Sequence, residues 1–465
     1  MEYRSANFDL NNGQGKNEEP KSRVSMNIPD SDKPRVVVIG GGFAGVEIVK
    51  TLGRDNPFQV VLLDKNNFHN FQPLMYQVAT AGLEPDAIAA PLRRIFKGYK
   101  DFYFRMAKVN RIFPSENCIN TSIGRLKYDF LVIATGSKTN YYGMENVKKN
   151  SVPMKKIPEA LDLRSKILQN FEQALLVSDP EVRSSLLDVV IVGGGPTGVE
   201  LAGAIAELKK HVLPNDLPEL DFTKMDIYLI EAAPQLLNGM SANASKKALK
   251  YLDDFGVHVM LNTTVKNYDG YIVEFGDGKK IVSQSLIWAA GVMGSIIEGI
   301  DPEVIKGNRY HVDLFCRIKG YENLYCIGDV AGMYTPEIPR GHPMVAQVAI
   351  QQGRLVAKNL LRMHKNKTPK PFKYNDKGSM ATIGRNRAVV DLPNWKFAGV
   401  FAWLVWMFVH IISLVGFRNK VAVFFNWVWN YFTYDRATRL IIRPWVKHEQ
   451  KKEKLERDSI KVRKG

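Results

Sequence analysis

Val36-Val37-Val38-Ile39-Gly40-Gly41-Gly42-Phe43-Ala44-Gly45 decides the fold, because an apolar β-branched run passes directly into a glycine-rich turn. The pattern returns as Val189-Val190-Ile191-Val192-Gly193-Gly194-Gly195-Pro196-Thr197-Gly198. In each copy the first glycine permits a tight turn, the second lets backbone approach a pyrophosphate, and the third lets helix pack on strand. The repeat predicts an α/β fold with two Rossmann-like dinucleotide-binding domains.

An acidic residue closes a second apolar run in each copy. Asp64 follows residues 60–63 and Glu231 follows residues 227–230, where a carboxylate can accept hydrogen bonds from a ribose. Glu231 lies further from its turn because a proline-rich insertion over residues 213–220 lengthens the crossover. Two glycine turns in an ordinary parallel sheet are the alternative. Two dinucleotides face to face would suit hydride transfer from a nicotinamide to a flavin.

Two further stretches resemble marks of the two-dinucleotide flavoproteins, namely residues 128–136 (YDFLVIATG) and 324–329 (LYCIGD). The resemblance implies that the first turn holds FAD and the second holds the nicotinamide cofactor. An acid at Glu231 repels a 2′-phosphate, which favours NADH over NADPH. The residues expected to hold FAD are Gly40, Gly42, Gly45, Asp64, Ala134, Thr135, Gly136, Gly328 and Asp329. Those expected to hold NADH are Gly193, Gly195, Gly198, Glu200 and Glu231.

Three longer stretches are similar to patterns of the type II NADH dehydrogenases, the single-subunit NADH:quinone oxidoreductases. They are residues 67–83 (NFHNFQPLMYQVATAGL), 346–353 (AQVAIQQG) and 376–385 (DKGSMATIGR). The resemblance extends over residues 34–445. It implies a non-proton-pumping enzyme of a respiratory chain, with FAD bound non-covalently, NADH as substrate and a membrane quinone as acceptor.

The same resemblance assigns residues around the flavin. Gln347 and Gln351 lie four residues apart, so they share one helix face. The family implies that this face lines the quinone pocket, although the spacing alone favours two solvated glutamines. Lys377 is either a cation beside the quinol oxygen or a surface lysine. Tyr76, Gln77, Thr80, Ala346 and Gln347 are expected to contact FAD.

Glu200 lies on the first turn of the second helix, where the helix dipole favours an anion. The family implies instead that this side chain reaches the edge between nicotinamide and flavin. There it would orient NADH or relay a proton. Structural and catalytic roles both remain open for Glu200 at this point.

Composition narrows the function classes. The 465 residues carry a formal charge of +17, which suits an anionic lipid surface, and no stretch resembles a nucleic-acid-binding module. Cys118, Cys316 and Cys326 form no CxxC or CxxxxC pair, which argues against a redox disulfide and weakens a sulfide:quinone-type assignment. A ferredoxin-type flavin reductase and a low-turnover membrane redox sensor stay as alternatives. No metal site is predicted, and a homodimer is left open.

The C-terminal region predicts membrane attachment. Residues 397–417 contain no Asp, Glu, Lys or Arg, and a run of about 20 apolar residues can span a bilayer. Basic residues on both sides argue against spanning. Trp403, Trp406, His410 and Ser413 share a stripe, and an aromatic stretch follows over residues 421–434, which together favour an interfacial helix. We expect a monotopic enzyme on the cytoplasmic face of the inner (plasma) membrane.

The predicted organisation has four parts. Residues 1–33 form a disordered leader. Residues 34–148 and 302–375 form an FAD-binding domain, and residues 149–301 form an NADH-binding domain inserted in it. Residues 376–465 form a helical membrane-anchoring region that ends in a basic tail.

Overall fold

The structure is a computed structural model that describes residues 26–434 and 438–446. Its first part is a parallel sheet with the strand order β22-β9-β1-β2-β5, flanked by α1 and small antiparallel sheets. Its elements are β1 (Arg35–Ile39), α1 (Phe43–Leu52), β2 (Gln59–Asp64), β3 (Phe68–Asn70), α2 (Met75–Ala79), β4 (Ala89–Pro91), α3 (Leu92–Ile95), β5 (Phe102–Met106), β6 (Val109–Phe113), β7 (Cys118–Thr121), β8 (Gly124–Lys127), β9 (Phe130–Ile133) and β10 (Ser137–Thr139).

The second part repeats this plan with the parallel order β11-β18-β12-β13-β14. Its elements are α4 (Glu145–Asn150), β11 (Val152–Pro153), α5 (Ile157–Leu176), α6 (Pro180–Leu187), β12 (Val189–Val192), α7 (Pro196–His211), α8 (Leu213–Asp216), β13 (Ile227–Ile230), α9 (Ala242–Asp253), β14 (Val257–Met260), β15 (Val265–Tyr268), β16 (Ile272–Phe275), β17 (Lys280–Val282), β18 (Ser285–Trp288) and β19 (Val292–Gly294). β19 returns to pair with β10 and so ties the two parts together.

The third part completes the first sheet, because β22 pairs with β9. Its elements are β20 (Ile305–Lys306), β21 (Arg309–Val312), β22 (Leu324–Cys326), β23 (Ala331–Met333) and α10 (Ala346–His364), which packs along α1. The fourth part is a small sheet with two helices: β24 (Ser379–Thr382), β25 (Ala388–Asp391), β26 (Lys396–Ala398), α11 (Val400–Ser413) and α12 (Phe417–Thr433).

Each glycine-rich turn leaves a central strand at its carboxyl end. β1 lies between β9 and β2, and β12 lies between β18 and β13. Both strands are sequestered on both faces, which is why they read as continuous Val and Ile runs. The prediction of two Rossmann-like domains is confirmed, and the carboxyl edges of the two sheets are where ligands bind in such folds.

The N-terminal leader differs from the prediction where it is described. Met26 is only 5% exposed in the core of the first part, and Arg105 donates hydrogen bonds to the carbonyls of Met26 and Asn27. Residues 26–33 therefore hold a defined place against the first sheet, and a disordered leader is wrong for them. Residues 1–25 and the predicted basic tail over 447–465 lie outside the described residues.

The apolar run 397–417 is not one helix. Residues 397–398 belong to β26, α11 spans only 14 residues, and α12 starts at Phe417 after a break at Leu414–Gly416. Within residues 26–434 and 438–446, no helix is both long and apolar enough to cross a membrane.

The orientation of α11 corrects the predicted interfacial stripe. Trp406 is 2% exposed, stacks on His410 with ring centroids 4.1 Å apart, and packs against Trp427 of α12. Trp403, Trp406 and His410 therefore face the protein, whereas Ser413 at the end of α11 is exposed. The outward face carries other large apolar side chains, namely Phe401, Leu404, Phe408 and Ile412.

Candidate active site

The first glycine turn is shaped by close backbone contacts. Gly40 has φ of 109°, and a Cβ on it would lie 2.3 Å from the Ala134 carbonyl oxygen. A Cβ on Gly45 would lie 1.8 Å from the Gly40 oxygen, so α1 packs directly on the turn. A Cβ on Gly42, by contrast, would meet nothing within 4 Å. The start of α1 thus faces open space, which is the setting in which helix N–H groups bind a phosphate.

The second turn has the same geometry. Gly193 has φ of 114°, and a Cβ on it would lie within 2.9 Å of the Ala289 and Ala290 backbone. A Cβ on Gly198 would lie 1.8 Å from the Gly193 oxygen, whereas one on Gly195 would meet nothing within 4 Å. The start of α7 is therefore a second open phosphate-binding position.

The predicted ribose acids support both turns. Asp64 accepts hydrogen bonds from the N–H groups of Gly41 (2.6 Å) and Asn66 (2.7 Å), and burial raises its pKa. Glu231 accepts from Gly194 (2.5 Å) and Ala233 (2.7 Å) in the same way. An ionised carboxylate has about four acceptor positions, so each acid can hold its turn and still accept from a ribose. The two turns with their acids fit two dinucleotides.

The junction between the sheets brings the remaining predicted flavin residues together. Thr135 Oγ1 donates to the Ser295 carbonyl, and Gly136, with φ of 65°, turns the chain from β9 into β10. Asp329 accepts from Ser137 Oγ at 2.5 Å, and Lys155 Nζ lies 3.8 Å from the same carboxylate. Asp329 thus contacts both Ser137 of β10 and Lys155 of the second part.

Gln352 was missed by the sequence analysis. It is 1% exposed, and its Oε1 accepts a hydrogen bond of 2.7 Å from the N–H of Gly328. This contact fixes the Gly328–Asp329 turn on α10. Its position in the sequence gives a hint of this role. Gln352 directly follows Gln351, so the two side chains project from different sides of the helix and cannot both face the same loop.

One pocket lies between the first and second parts, beside the start of α7, and residues of both parts form its wall. From the first part come residues preceding and within α2, and from the second come the start of α7 and the end of β18. The lining consists of Gln72, Pro73, Met75, Tyr76, Thr139, Met154, Lys155, Thr197, Glu200, Trp288, Ala289, Gly291 and Val292. The pocket places Glu200 within reach of both halves.

Glu200 is a buried acid with an altered protonation state. It is 7% exposed, and burial raises its pKa to about 8. The Thr382 N–H contributes a long hydrogen bond of 3.4 Å, while the nearby Trp406 Nε1 has no hydrogen-bond partner of good geometry in the described part of the chain. At neutral pH Glu200 therefore carries a proton and presents a neutral donor to the pocket.

The predicted flavin loop is tied to α12. Gln77 Nε2 donates to the Tyr76 hydroxyl (2.8 Å), and Gln77 Oε1 accepts from the Trp427 indole N–H (2.7 Å). Thr80 is buried and donates to the Tyr76 carbonyl. Asn430 Nδ2 donates to the Gly82 carbonyl, which extends the same connection. The loop that lines the pocket is thus held by the C-terminal helix.

Gln347 and Gln351 share a face of α10, but both side chains hold a loop. Gln347 Nε2 donates to the Gly378 carbonyl (2.8 Å) and its Oε1 accepts from the Lys377 N–H (3.1 Å). Gln351 makes a matching pair with the backbone of Asn375. Ala346 is the first residue of α10, and the Lys377 side chain is exposed. The structure thus brings Gln347, Gln351 and Lys377 together at the loop over 375–378.

The three cysteines are free and buried. The Cys326 N–H donates to the Cys316 carbonyl, so these two residues face each other across a backbone pair. No cysteine is among the described residues that line the pocket.

The fold and the pocket define a two-dinucleotide flavoprotein. The family model described as pyridine nucleotide-disulphide oxidoreductase matches residues 34–353, and the model described as NDH2 C-terminal domain matches residues 377–434. Among solved structures, NDH2 from Plasmodium falciparum in complex with NADH has a TM-score of 0.81 at 22% identity, covering 88% of this chain and 100% of that one. The sulfide:quinone oxidoreductase of Aquifex aeolicus has a TM-score of 0.67 at 20% identity, covering 86% and 95%.

Sequence relatives identify the branch. The type II NADH:quinone oxidoreductase NdhA of Mycobacterium tuberculosis is 37% identical over 411 residues, covering 84% of this chain and 86% of its own. The type II NADH:quinone oxidoreductase Ndh of the same organism is 35% identical over 419 residues, covering 87% and 89%. The chain belongs to the type II NADH:quinone oxidoreductase family. It is an FAD-dependent oxidoreductase, as the sequence analysis predicted.

Proposed function

We propose that this chain transfers hydride from NADH to bound FAD and two electrons from the flavin to a membrane quinone, without pumping protons. When bound, the flavin supplies the two-electron carrier that links the two substrates. Residues 34–148 with 302–375 would hold FAD, and residues 149–301 would hold NADH. The single observation that carries this proposal is the pocket between the first and second parts, because the predicted flavin loop and the start of α7 both contribute to its wall.

The chain's contribution to the NADH half of the reaction is positioning. The start of α7 would bind the pyrophosphate of NADH, and Glu231 would accept from its ribose. The nicotinamide would then enter the pocket beside Thr197 and Glu200. Reacting atoms held about 3 to 3.5 Å apart account for a large share of catalysis in such transfers.

Glu200 is proposed to act as a proton holder at this wall. Its raised pKa keeps the proton on the carboxyl at neutral pH, so the wall facing the nicotinamide carries no negative charge. Thr382 of β24 and Trp406 of α11 cover Glu200 on its other side. The role of Gln347, Gln351 and Lys377 would be to hold the loop over 375–378 in place beside the quinone.

Attachment to the membrane is proposed to use the outward faces of α11 and α12. Phe408 is 64% exposed and Phe425 is 64% exposed, and large apolar side chains at this density suit a lipid interface. The net charge of +17 would add attraction to anionic lipids. We place the enzyme on the cytoplasmic face of the inner membrane, where NADH is oxidised and the quinone is reached from the lipid side.

Stopped-flow spectroscopy on the full-length flavoprotein tests the reaction. Anaerobic mixing with NADH should bleach the flavin absorbance, and subsequent mixing with ubiquinone or menaquinone analogues should restore it within the turnover time. Rapid bleaching that only ferredoxin or an artificial dye reverses would contradict the quinone as acceptor. Bleaching that recovers too slowly to support steady turnover would favour a redox sensor.

A sulfide:quinone-type reaction is disfavoured by the cysteines. Such a reaction needs a cysteine couple at the flavin, whereas Cys118, Cys316 and Cys326 are buried away from the described pocket lining. Sulfide in place of NADH should therefore leave the flavin oxidised in the same stopped-flow experiment.

A further inference from the structure

A cleft lies where the turn between α11 and α12 meets the end of α1. Its lining comprises Lys50 from the last turn of α1, Lys420 from the first turn of α12, and the turn residues 412–417. We refer to it as the turn cleft. It is separate from the pocket between the first and second parts, with which it shares no described lining residue.

The turn cleft carries excess positive charge. In the described part of the chain, neither Lys50 nor Lys420 forms an ion pair with a carboxylate. Glu47 is the acid that acts on Lys50, and it is already paired with Arg354, while Lys420 and Arg354 both oppose the charge on Lys50. An anion in the cleft would relieve this repulsion.

Lys420 is held so that it can bind an anion and stay in place. Its ammonium donates one hydrogen bond of 2.7 Å to the Ile412 carbonyl near the end of α11. A lysine ammonium has three N–H donors, so two remain. The turn thus fixes the position of the charge without neutralising it.

The rim of the turn cleft is apolar and exposed. Phe417 is 83% exposed and Ile412 is 54% exposed, and they continue the outward face of α11 through Phe408. A free phosphate gains nothing from such a rim. A molecule with a phosphate at one end and hydrocarbon chains at the other matches both features at once.

We propose that the turn cleft binds the phosphate of an anionic phospholipid headgroup, with Lys50 and Lys420 on the phosphate and the acyl chains along Phe408, Ile412 and Phe417. This inference rests on the proposed membrane attachment and gives it a defined contact point. A fixed headgroup there sets the orientation of α11 and α12 on the membrane surface.

Vesicle cosedimentation of the full-length flavoprotein tests the headgroup site. Vesicles of phosphatidylcholine are compared with vesicles that also contain phosphatidylglycerol. Wild-type protein should prefer the anionic vesicles, and Lys50→Gln/Lys420→Gln should bind them about 30-fold more weakly. Glutamine can still donate to the Ile412 carbonyl, so the turn is preserved.

The matched control removes two positive charges from the same end of the molecule but outside the cleft. Lys396→Gln/Arg418→Gln changes one residue of β26 and one of α12, both exposed. The headgroup site predicts a clearly smaller loss for this pair than for the cleft pair. Equal losses would show diffuse attraction and overturn the site.

Two further readouts separate the outcomes. Phosphatidylglycerol of short chain length should protect Lys50 and Lys420 from an amine-reactive label, as read by peptide mass spectrometry. Equal protection by inorganic phosphate overturns the lipid assignment.

Wild-type protein that binds both vesicle types equally overturns the headgroup site alone. Wild-type protein that binds neither vesicle overturns the proposed membrane attachment as well. NADH-dependent dye reduction by the cleft variant should match wild type.

Discussion

Glu47 and Glu200 occupy the same position in two copies of one local sequence, Gly-Val-Glu at the end of each glycine turn, yet they differ in charge state. Glu47 forms an ion pair with Arg354 of α10. Glu200 is buried without a basic partner in the described part of the chain, and its pKa is raised to about 8. Identical local sequence therefore gives a charged brace in the first part and a neutral acid in the second.

The difference arises from segments distant in sequence. Arg354 reaches Glu47 because α10 packs along α1, whereas β24 and α11 cover Glu200 with Thr382 and Trp406. A carboxyl loses hydration in both places, but only Glu47 receives a compensating charge. The covering residues bury Glu200 and raise its pKa, which supports the proposed role as a proton holder.

The largest expected effect comes from adding a methyl group at the third glycine of either turn. Gly45→Ala and Gly198→Ala each place a Cβ 1.8 Å from a backbone oxygen, which should cost about 3 kcal/mol or more. Gly45→Ala should purify without flavin. Gly198→Ala should retain flavin absorbance but lose NADH-dependent bleaching by about 100-fold or more. Absorbance spectra and stopped-flow traces measure both.

The middle glycines provide the control for this pair. A Cβ on Gly42 or Gly195 meets no protein atom within 4 Å, so Gly42→Ala and Gly195→Ala should melt at the wild-type temperature when cofactor is absent. Each substitution should weaken binding of only the dinucleotide held at its own turn. Equal loss of flavin in both third-glycine variants would contradict the assignment of the two turns.

The next largest effect is a pH dependence of the free energy of unfolding, which we attribute to Glu200. Its pKa is 4.5 in the unfolded chain and about 8 in the folded one, so between these values the folded state holds a proton that the unfolded state has lost. Stability should therefore fall as pH rises through this window, by about 1.4 kcal/mol per pH unit. Glu200→Gln should remove this slope, as measured by urea unfolding from pH 5 to 8.

Glu47→Gln serves as the matched control, since it makes the same change in the equivalent position. Glu47→Gln should leave the decrease of stability with rising pH unchanged. Single-turnover flavin reduction by NADH should also show a step about pH 8 in wild type and Glu47→Gln but not in Glu200→Gln. A wild-type slope that survives Glu200→Gln would show that another group holds the proton.

The smallest expected effect comes from removing the basic partner of Glu47. The acid that follows the first turn would then lack a basic partner among the described residues, as Glu200 does after the second. Arg354→Met removes the cation beside Glu47 and should cost about 1 kcal/mol, because the pair is partly exposed. Urea unfolding of the variant measures this loss of stability. The double variant Arg354→Met/Glu47→Gln should recover most of the lost stability, and a failure to recover would mean that Arg354 acts through packing.

The sequence alone predicts those features of the fold and site that depend on residues close together in the chain. The Val and Ile runs, the glycines and the acids at Asp64 and Glu231 all follow from the geometry of a single strand, turn and helix. The parallel sheets and the flavoprotein class came from those residues. The family then followed from long motifs such as residues 67–83.

The side of a helix that faces the protein could not be predicted in the same way. The run over 397–417 is apolar all round, so its pattern does not tell which side faces the protein, and the tryptophan stripe was placed outward although Trp406 is core. Gln347 and Gln351 share a face as predicted, but their amides are taken by the loop over 375–378, a contact that depends on tertiary structure.

α11 also decides how this protein can be handled. Each turn of this helix alternates between core side chains such as Trp406 and outward ones such as Phe408, so removing the C-terminal region would uncover Glu200 and free the loop that α12 holds at Gln77. Polar substitutions confined to the exposed side chains Phe401, Leu404, Phe408 and Ile412 leave those contacts in place. We therefore expect polar substitutions on this face, rather than truncation, to give a form of the enzyme that stays in solution without detergent.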